Sequence, residues 1–376
     1  MCYRKVHVTL ILLVFCISMH AQDIRIGFFY DSDVQAVVFT TVEGEYILSG
    51  DGRKVAVIRK GAIFHVERNR SGLAVHDTVQ SYGIFNNLEF TGASASNIFQ
   101  VKPVLPSLPS KESDDNLAIS IFNEGLRVIN RTGLEKYISG TVEAEGGSDA
   151  FPEYYKAQAV IARTFAVKNF NRHAHEGFNL CDGVHCQAYN GISRMNMQIN
   201  ASTLATKDEI LTDLNGKPAI TAYHACCGGI TSSASVEWNR DLPYLVPVKD
   251  PFCNGSRHRS WIKTIPLKEW TTYLEKTDYY TSSDNLYKLN DPGRQKYLDE
   301  KNKRLPLTEI RKDFQLRSSY FHATPEGDQI AFHGHGYGHG LGLCQEGAME
   351  MARVGYTYVD ILMFYYRNVK IANSKL

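Results

Sequence analysis

The chain has 376 residues, 43 % of them hydrophobic, which suits about two folded domains with buried cores and excludes a disordered chain. Its 41 Lys and Arg nearly cancel 40 Asp and Glu. No global field therefore draws it to nucleic acid or to a membrane surface, and a neutral or mixed-charge substrate is the more natural partner.

Arg4 and Lys5 precede an apolar run over residues 8–19, too short to span a bilayer comfortably, and His20-Ala21 offers a small residue for cleavage before Gln22. Residues 1–21 are predicted to be a signal peptide, and the mature protein to work outside the cytoplasm, in the periplasm or cell wall. A lipid anchor on Cys16 would need a small residue where Phe15 stands. Six of the eight cysteines lie beyond this segment, an even number that permits disulfides in an oxidising compartment.

Residues 22–102 alternate in the strand manner, as in residues 25–29, 54–58 and 62–66, with turn signals such as Ser49-Gly50-Asp51-Gly52 between them. They read as a small β-rich unit without catalytic features. Residues 103–116, rich in Pro, Ser and charge, read as a linker or surface loop. Residues 117–376 form the second unit, which opens on a hairpin of residues 118–122 and 126–130 around Asn123-Glu124-Gly125.

Residues 137–191 organise the rest. Pro152 suits a first helical turn and Glu153 complements the dipole there. Ala159, Ala162 and Ala166 then fall on one stripe that lets another backbone approach closely, which predicts a central scaffold helix. Glu145, just before it, is expected on a turn or strand end held against that helix, where a carboxyl of raised pKa could act in acid/base chemistry. Glu143 and Glu153 are the alternatives. His175, Cys181 and Cys186 give H-x5-C-x4-C, a donor set that suits Zn²⁺, with His185 as an alternative ligand. By spacing alone the two cysteines could equally form a disulfide.

Several of these blocks together resemble the SpoIID/LytB family, named for a stage II sporulation protein and an amidase enhancer. Val142-Glu143-Ala144-Glu145 and the run Tyr155-Lys156-Ala157-Gln158-Ala159-Val160-Ile161-Ala162-Arg163-Thr164-Phe165 are similar to its V-x-A-x-E and K-A-Q-A-V-A-A-R-T-Y. Residues 146–150 depart from its short Met-Pro connection, which bears on the aim of Glu145. Cys181-Asp182 and His185-Cys186-Gln187-x-Tyr189-x-Gly191 resemble its zinc-associated block. Tyr223 with Cys227-Gly228-Gly229, then Trp238 and Pro243-Tyr244-Leu245, continue the match, and Cys227 with Cys253 is a disulfide candidate. Trp238 and Tyr244 are candidates to stack on sugars or to pack in the core. The glycine-rich run 333–348 resembles G-x-G-x-G-H-G-x-G-M-S-Q-x-G-A, with His339 and Gln345 as the shared polar residues and Cys344 in place of serine.

Residues 261–317 are polar and show no chemistry, with helices expected at 267–276 and 307–314. A hairpin over 319–332, a helix from Glu346 to Arg353 closed by Gly355, and a capping box Thr357-Tyr358-Val359-Asp360 opening a last helix end the chain. Residues 122–372 carry the resemblance. It implies an α+β catalytic core and an exported lytic transglycosylase that cleaves the β-1,4 bond between N-acetylmuramic acid and N-acetylglucosamine, leaving 1,6-anhydro ends. Glu145 would be catalytic, Gln345, His339, Arg163 and Gln158 would bind substrate, and His175, Cys181 and Cys186 would hold a structural zinc. Peptidoglycan glycan strands, and a cell-wall amidase, are the implied partners. The alternative is a non-catalytic glycan-binding enhancer of that amidase.

Overall fold

The computed structural model describes residues 23–277, 294–299 and 304–374, so the expected signal peptide lies outside the described residues. The chain begins with β1 (Asp23–Phe28), β2 (Ala36–Glu43), β3 (Glu45–Gly50), β4 (Arg53–Arg59), β5 (Ile63–Asn69), β6 (Gly72–His76), β7 (Ser81–Phe85), β8 (Asn87–Gly92), β9 (Ile98–Leu105), β10 (Lys111–Asp114), β11 (Asn116–Phe122) and β12 (Gly125–Gly133). With the two-residue β13 (Leu180–Cys181) they make two sheets, ordered β13-β1-β12-β11-β8-β3-β4 and β10-β9-β2-β5-β6-β7.

Period-two burial explains these strands. In β2, Val37, Phe39 and Thr41 point inward while their neighbours are half-exposed. Phe39 stacks on Phe90 of β8, ring centroids 4.1 Å apart, and on Phe99 of β9 at 5.5 Å, so the two sheets share one aromatic core. The expected linker is not a loop throughout: its first residues finish β9, and β10 pairs back on β9, with Ser113 opposite Phe99. The expected hairpin is β11 and β12, and β11 joins β8, Leu117 facing Phe90. Strands from before and after residues 103–116 thus lie in one sheet.

After β12 comes a helix, α1 (Leu134–Gly146), so Glu145 lies in a helix and not on the expected turn or strand end. Ile138, Gly140, Thr141 and Val142 are poor helix formers, and their burial, which a propensity count does not see, decides the matter. Gly140 is needed there because a Cβ would collide with the Gly191 carbonyl. The predicted scaffold helix is α2 (Pro152–Lys168), with Pro at its start and Ala157, Ala159, Val160, Ile161, Ala162 and Ala166 wholly buried.

The remainder comprises α3 (Met197–Ala205), β14 (Glu209–Asp213), β15 (Tyr223–His224), α4 (Ala234–Glu237), β16 (Ser260–Pro266), α5 (Leu267–Lys276), β17 (Tyr297–Asp299), β18 (Arg304–Pro306), α6 (Leu307–Asp313), β19 (Phe321–Glu326), β20 (Gln329–His335), β21 (Leu343–Cys344), α7 (Gln345–Arg353), α8 (Tyr358–Tyr365) and β22 (Val369–Asn373). The α2 helix packs against α1, α3, β14, α7 and α8, so the small-residue stripe does place it at the centre. The capping box at Thr357 and Asp360 is present, and Ile361, Leu362 and Tyr365 are buried as expected. A three-stranded sheet β16-β20-β19 with α5 and α6 encloses a second core around Trp270, Ile310, Phe314 and Phe332. The fold is α+β. Among the described residues no helix is long and apolar enough to cross a membrane.

Candidate active site

Glu145 occupies the last turn of α1, where Gly147 closes the helix with a positive φ of 70°. Its side chain is half-buried. Oε1 accepts the Ala188 N–H at 2.7 Å, and the Gln345 amide donates to the Glu145 carbonyl at 3.0 Å. Burial raises the carboxyl pKa, outweighing the Ala188 N–H and the Tyr223 hydroxyl, both of which favour the ionised form. The negative end of the α1 dipole works in the same direction as burial. Burial, then the Glu145 charge, hold the Tyr223 hydroxyl well above its usual range. The result is a carboxyl that keeps its proton to higher pH than an exposed one, flanked by a phenol and an amide.

The alternative acids are spoken for. Glu143 Oε2 accepts from Ser193 Oγ at 2.8 Å and from the Met195 N–H at 2.9 Å, and Glu153 takes Lys156 at 2.5 Å and the Tyr358 N–H at 2.7 Å.

The parallel pair β15 and β21, with Tyr223 opposite Leu343, carries Tyr223 and delivers Gln345 to the start of α7. Such a pairing needs the backbones very close. At Gly342, with φ of 65°, a side chain would strike the Ala222 carbonyl. His339 serves this framework. Its Nδ1 accepts the Leu341 N–H at 2.9 Å, the ring hydrogen-bonds the Tyr223 backbone, and burial pushes its pKa down to about 3. A neutral imidazole in this position braces the strand pair that carries Tyr223. Trp238 leans on it with centroids 5.7 Å apart and is 38 % exposed, whereas Tyr244 is buried and hydrogen-bonds the Ile220 N–H. Of the two aromatics, only Trp238 offers a face to solvent.

Two expected substrate-binding residues are in the core instead. Arg163 is fully buried; it donates to Glu135 at 2.8 and 2.5 Å and to the carbonyls of Glu209 and Thr203. Gln158 is fully buried on α2, with neither amide atom hydrogen-bonded. The shared sequence string that contains them reflects packing of the scaffold helix. Replacing Arg163 by Met should strand Glu135 and cost about 3 kcal/mol of stability, read as a lowered melting temperature, with the activity per folded molecule unchanged.

The metal-ligand trio is also revised in one member. His173, Cys181, His185 and Cys186 bring one donor atom each within 4.8 Å of one another, while His175 lies outside, its side chain 78 % exposed. The chain turns through a 3-10 segment at Ala174–Glu176, which sends His173 inward and His175 outward. His173 Nε2 is 3.5 Å from Cys186 Sγ, and its Nδ1 is 2.6 Å from Glu176 Oε1, a carboxylate that orients the ring toward the sulfurs. Hydrogen bonding from Cys181 outweighs burial and brings the Cys186 thiol down to about 7. Two thiols and two imidazoles in this spacing fit a tetrahedral zinc site. The loop it would pin runs on to Ala188, which holds Glu145. His333 and His335 belong to no group of potential ligands among the described residues.

Sequence reading missed His173, the helical setting of Glu145, and Tyr223. The last had a signal, since Tyr223 opens the block that ends in Cys227-Gly228-Gly229.

A sequence profile of the family described as stage II sporulation protein, SpoIID, matches residues 122–212. The chain is 31 % identical over 259 residues to an uncharacterised protein of Brachyspira hyodysenteriae, covering 67 % of this chain and 70 % of that one. It is 28 % identical over 311 residues to the stage II sporulation protein D of Bacillus subtilis, covering 77 % of this chain and 90 % of that one. The amidase enhancer of Bacillus subtilis is 23 % identical over 284 residues, 61 % of this chain and 39 % of that longer protein.

Proposed function

The chain belongs to the SpoIID family, and from that premise we propose that it is an exported lytic transglycosylase acting on peptidoglycan glycan strands. Its role is at the bacterial cell wall. The observation that carries the finer reading is Glu145: a half-buried carboxyl with a raised pKa, held by Ala188 and Tyr223, with Gln345 on its backbone carbonyl. A non-hydrolytic cleavage needs one such group. Protonated Glu145 gives its proton to the glycosidic oxygen as that bond breaks. The resulting carboxylate then takes the proton of the sugar's own 6-hydroxyl as its oxygen closes on C1, leaving a 1,6-anhydro ring and restoring the acid. A glycosidase that hydrolyses the bond would need a second carboxyl at a set distance, and Glu143 and Glu153 are both tied elsewhere.

Residues 8–19 support export, and the exposed Trp238, against His339, supports sugar stacking. Zinc on His173, Cys181, His185 and Cys186 would supply no step; those residues would hold the loop that places Ala188. Incubating the mature protein with glycan strands freed of stem peptides should yield new anhydromuramyl ends. Tight binding with no cleavage would instead favour the second reading, a glycan-binding enhancer of an amidase, for which the Bacillus relative's name speaks. Tyr223→Phe should slow cleavage about tenfold by removing a hydrogen bond to the charged carboxylate. An unchanged rate would remove Tyr223 from the site.

A further inference from the structure

A second group of ligands gathers around Cys344, at the end of β21. Cys227, Asp250, Cys253 and Cys344 are all buried, and one donor atom from each lies within 4.8 Å of the others. Cys227 Sγ is 3.2 Å from Asp250 Oδ2 and 3.4 Å from Cys253 Sγ. We propose that these four residues bind a second soft divalent cation of the zinc class, separate from the one fitted by His173, Cys181, His185 and Cys186.

Three features point to a cation in place of the Cys227–Cys253 disulfide considered from sequence. A tetrahedral zinc with Zn–S of about 2.3 Å sets its ligand atoms about 3.7 Å apart, and here the closest pairs are 3.2 and 3.4 Å apart with no pair beyond 4.8 Å. A disulfide would employ two of the thiols and leave the third thiol and a carboxylate facing it in a dry pocket; among the described residues no salt bridge reaches Asp250.

Backbone N–H groups also converge on the sulfurs: those of Cys227 and Gly347 on Cys344 Sγ at 3.2 and 3.4 Å, and that of Gly229 on Cys227 Sγ at 3.4 Å. Such donors stabilise the negative charge of a ligating thiolate. The Gly229 donor is placed by two consecutive residues of positive φ, Gly228 and Gly229. Asp250 is oriented in turn, Oδ1 accepting from the Phe252 N–H at 2.8 Å and Oδ2 from the Tyr365 hydroxyl at 2.9 Å. The buried Arg294, which donates to the Cys227 carbonyl at 2.8 Å, lies beside the net negative charge that three thiolates and a carboxylate leave around a divalent ion. Metal entry would release the three thiol protons to solvent.

The ligands come from the segment after β15, the 3-10 turn at Phe252–Gly255, and the residue that caps α7. Cys344 immediately precedes Gln345, and Cys227 follows Tyr223 by one turn of chain. The ion would clamp together the two segments that carry Tyr223 and Gln345 to Glu145.

The test is metal content, by mass spectrometry, of the full mature chain purified with zinc and without chelator, alongside Cys181→Ser/Cys186→Ser and Cys253→Ser variants. The structure predicts one equivalent more in the wild type than in Cys253→Ser, and an ion retained by the double variant. Because Cys253→Ser could fail to fold, the double variant is also loaded with Co²⁺. Intense visible bands with thiolate-to-cobalt charge transfer, lost in the added Asp250→Asn and Cys253→Ser changes, support the site. A double variant free of metal, with no such bands, overturns the proposal. So does a Cys227–Cys253 bond in the peptide map of alkylated, unreduced wild type.

Discussion

Glu145→Gln is expected to lower the rate of glycan cleavage by at least about 10³-fold, because one group serves both as the acid and as the base, and general acid/base help is typically worth about 10² to 10⁴. The substitution is nearly isosteric. The glutamine carbonyl can still accept the Ala188 N–H, and Gln345 bonds the backbone carbonyl, which the change leaves alone. Binding of glycan should therefore persist. The pH dependence carries a sign. Burial raises the Glu145 pKa, so the protonated, active form survives to higher pH than an ordinary carboxyl, and the rate falls on the alkaline limb as that proton is lost. Stability follows the same linkage. A folded pKa above the unfolded one means that the native state binds more protons, so the wild type loses stability as pH rises through the folded pKa. Glu145→Gln should then melt at the same or a higher temperature than wild type at pH 8, the gap closing as pH falls. Retained cleavage in this variant would reject the assignment of Glu145.

Cys186→Ser is expected to be the second large effect, and it acts on the fold before the chemistry. If zinc is present at a thousandfold its dissociation constant, its loss removes about 4 kcal/mol of stability, or roughly 8 °C at roughly 2 °C per kcal/mol for a domain of this size. Cleavage should fall with the loosening of the loop from Cys181 to Ala188, and the fall should be smaller than for Glu145→Gln. The opposite ranking, with metal removal abolishing activity that Glu145→Gln leaves intact, would indicate a metal-dependent hydrolase.

What the sequence made legible was mostly what periodicity carries. The alternating strands of the sandwich, the alanine stripe of α2 and the capping box at Thr357 all follow from local pattern, and all three are present. The helix that bears Glu145 was not legible, because Gly140 and its β-branched neighbours are helical only where Tyr189 and Gly191 pack against them. His173 and His175 are two residues apart with equal chemistry; a 3-10 turn decides which faces the sulfurs, and spacing does not report it. Arg163 and Gln158 sat in the most family-like string, yet that string is the buried face of a scaffold, where packing constrains residues as tightly as chemistry does. The linker reading of residues 103–116 rested on composition, which cannot register that β10 finds a partner in β9.

Cleavage of peptide-free glycan strands in ¹⁸O-water, with the new reducing-side ends resolved by mass spectrometry, tests the central claim most directly. Ring closure by the sugar's own 6-hydroxyl with Glu145 as the proton carrier predicts anhydromuramyl ends that carry no ¹⁸O and are one water lighter than hydrolysed ends. New ends that carry ¹⁸O would contradict it.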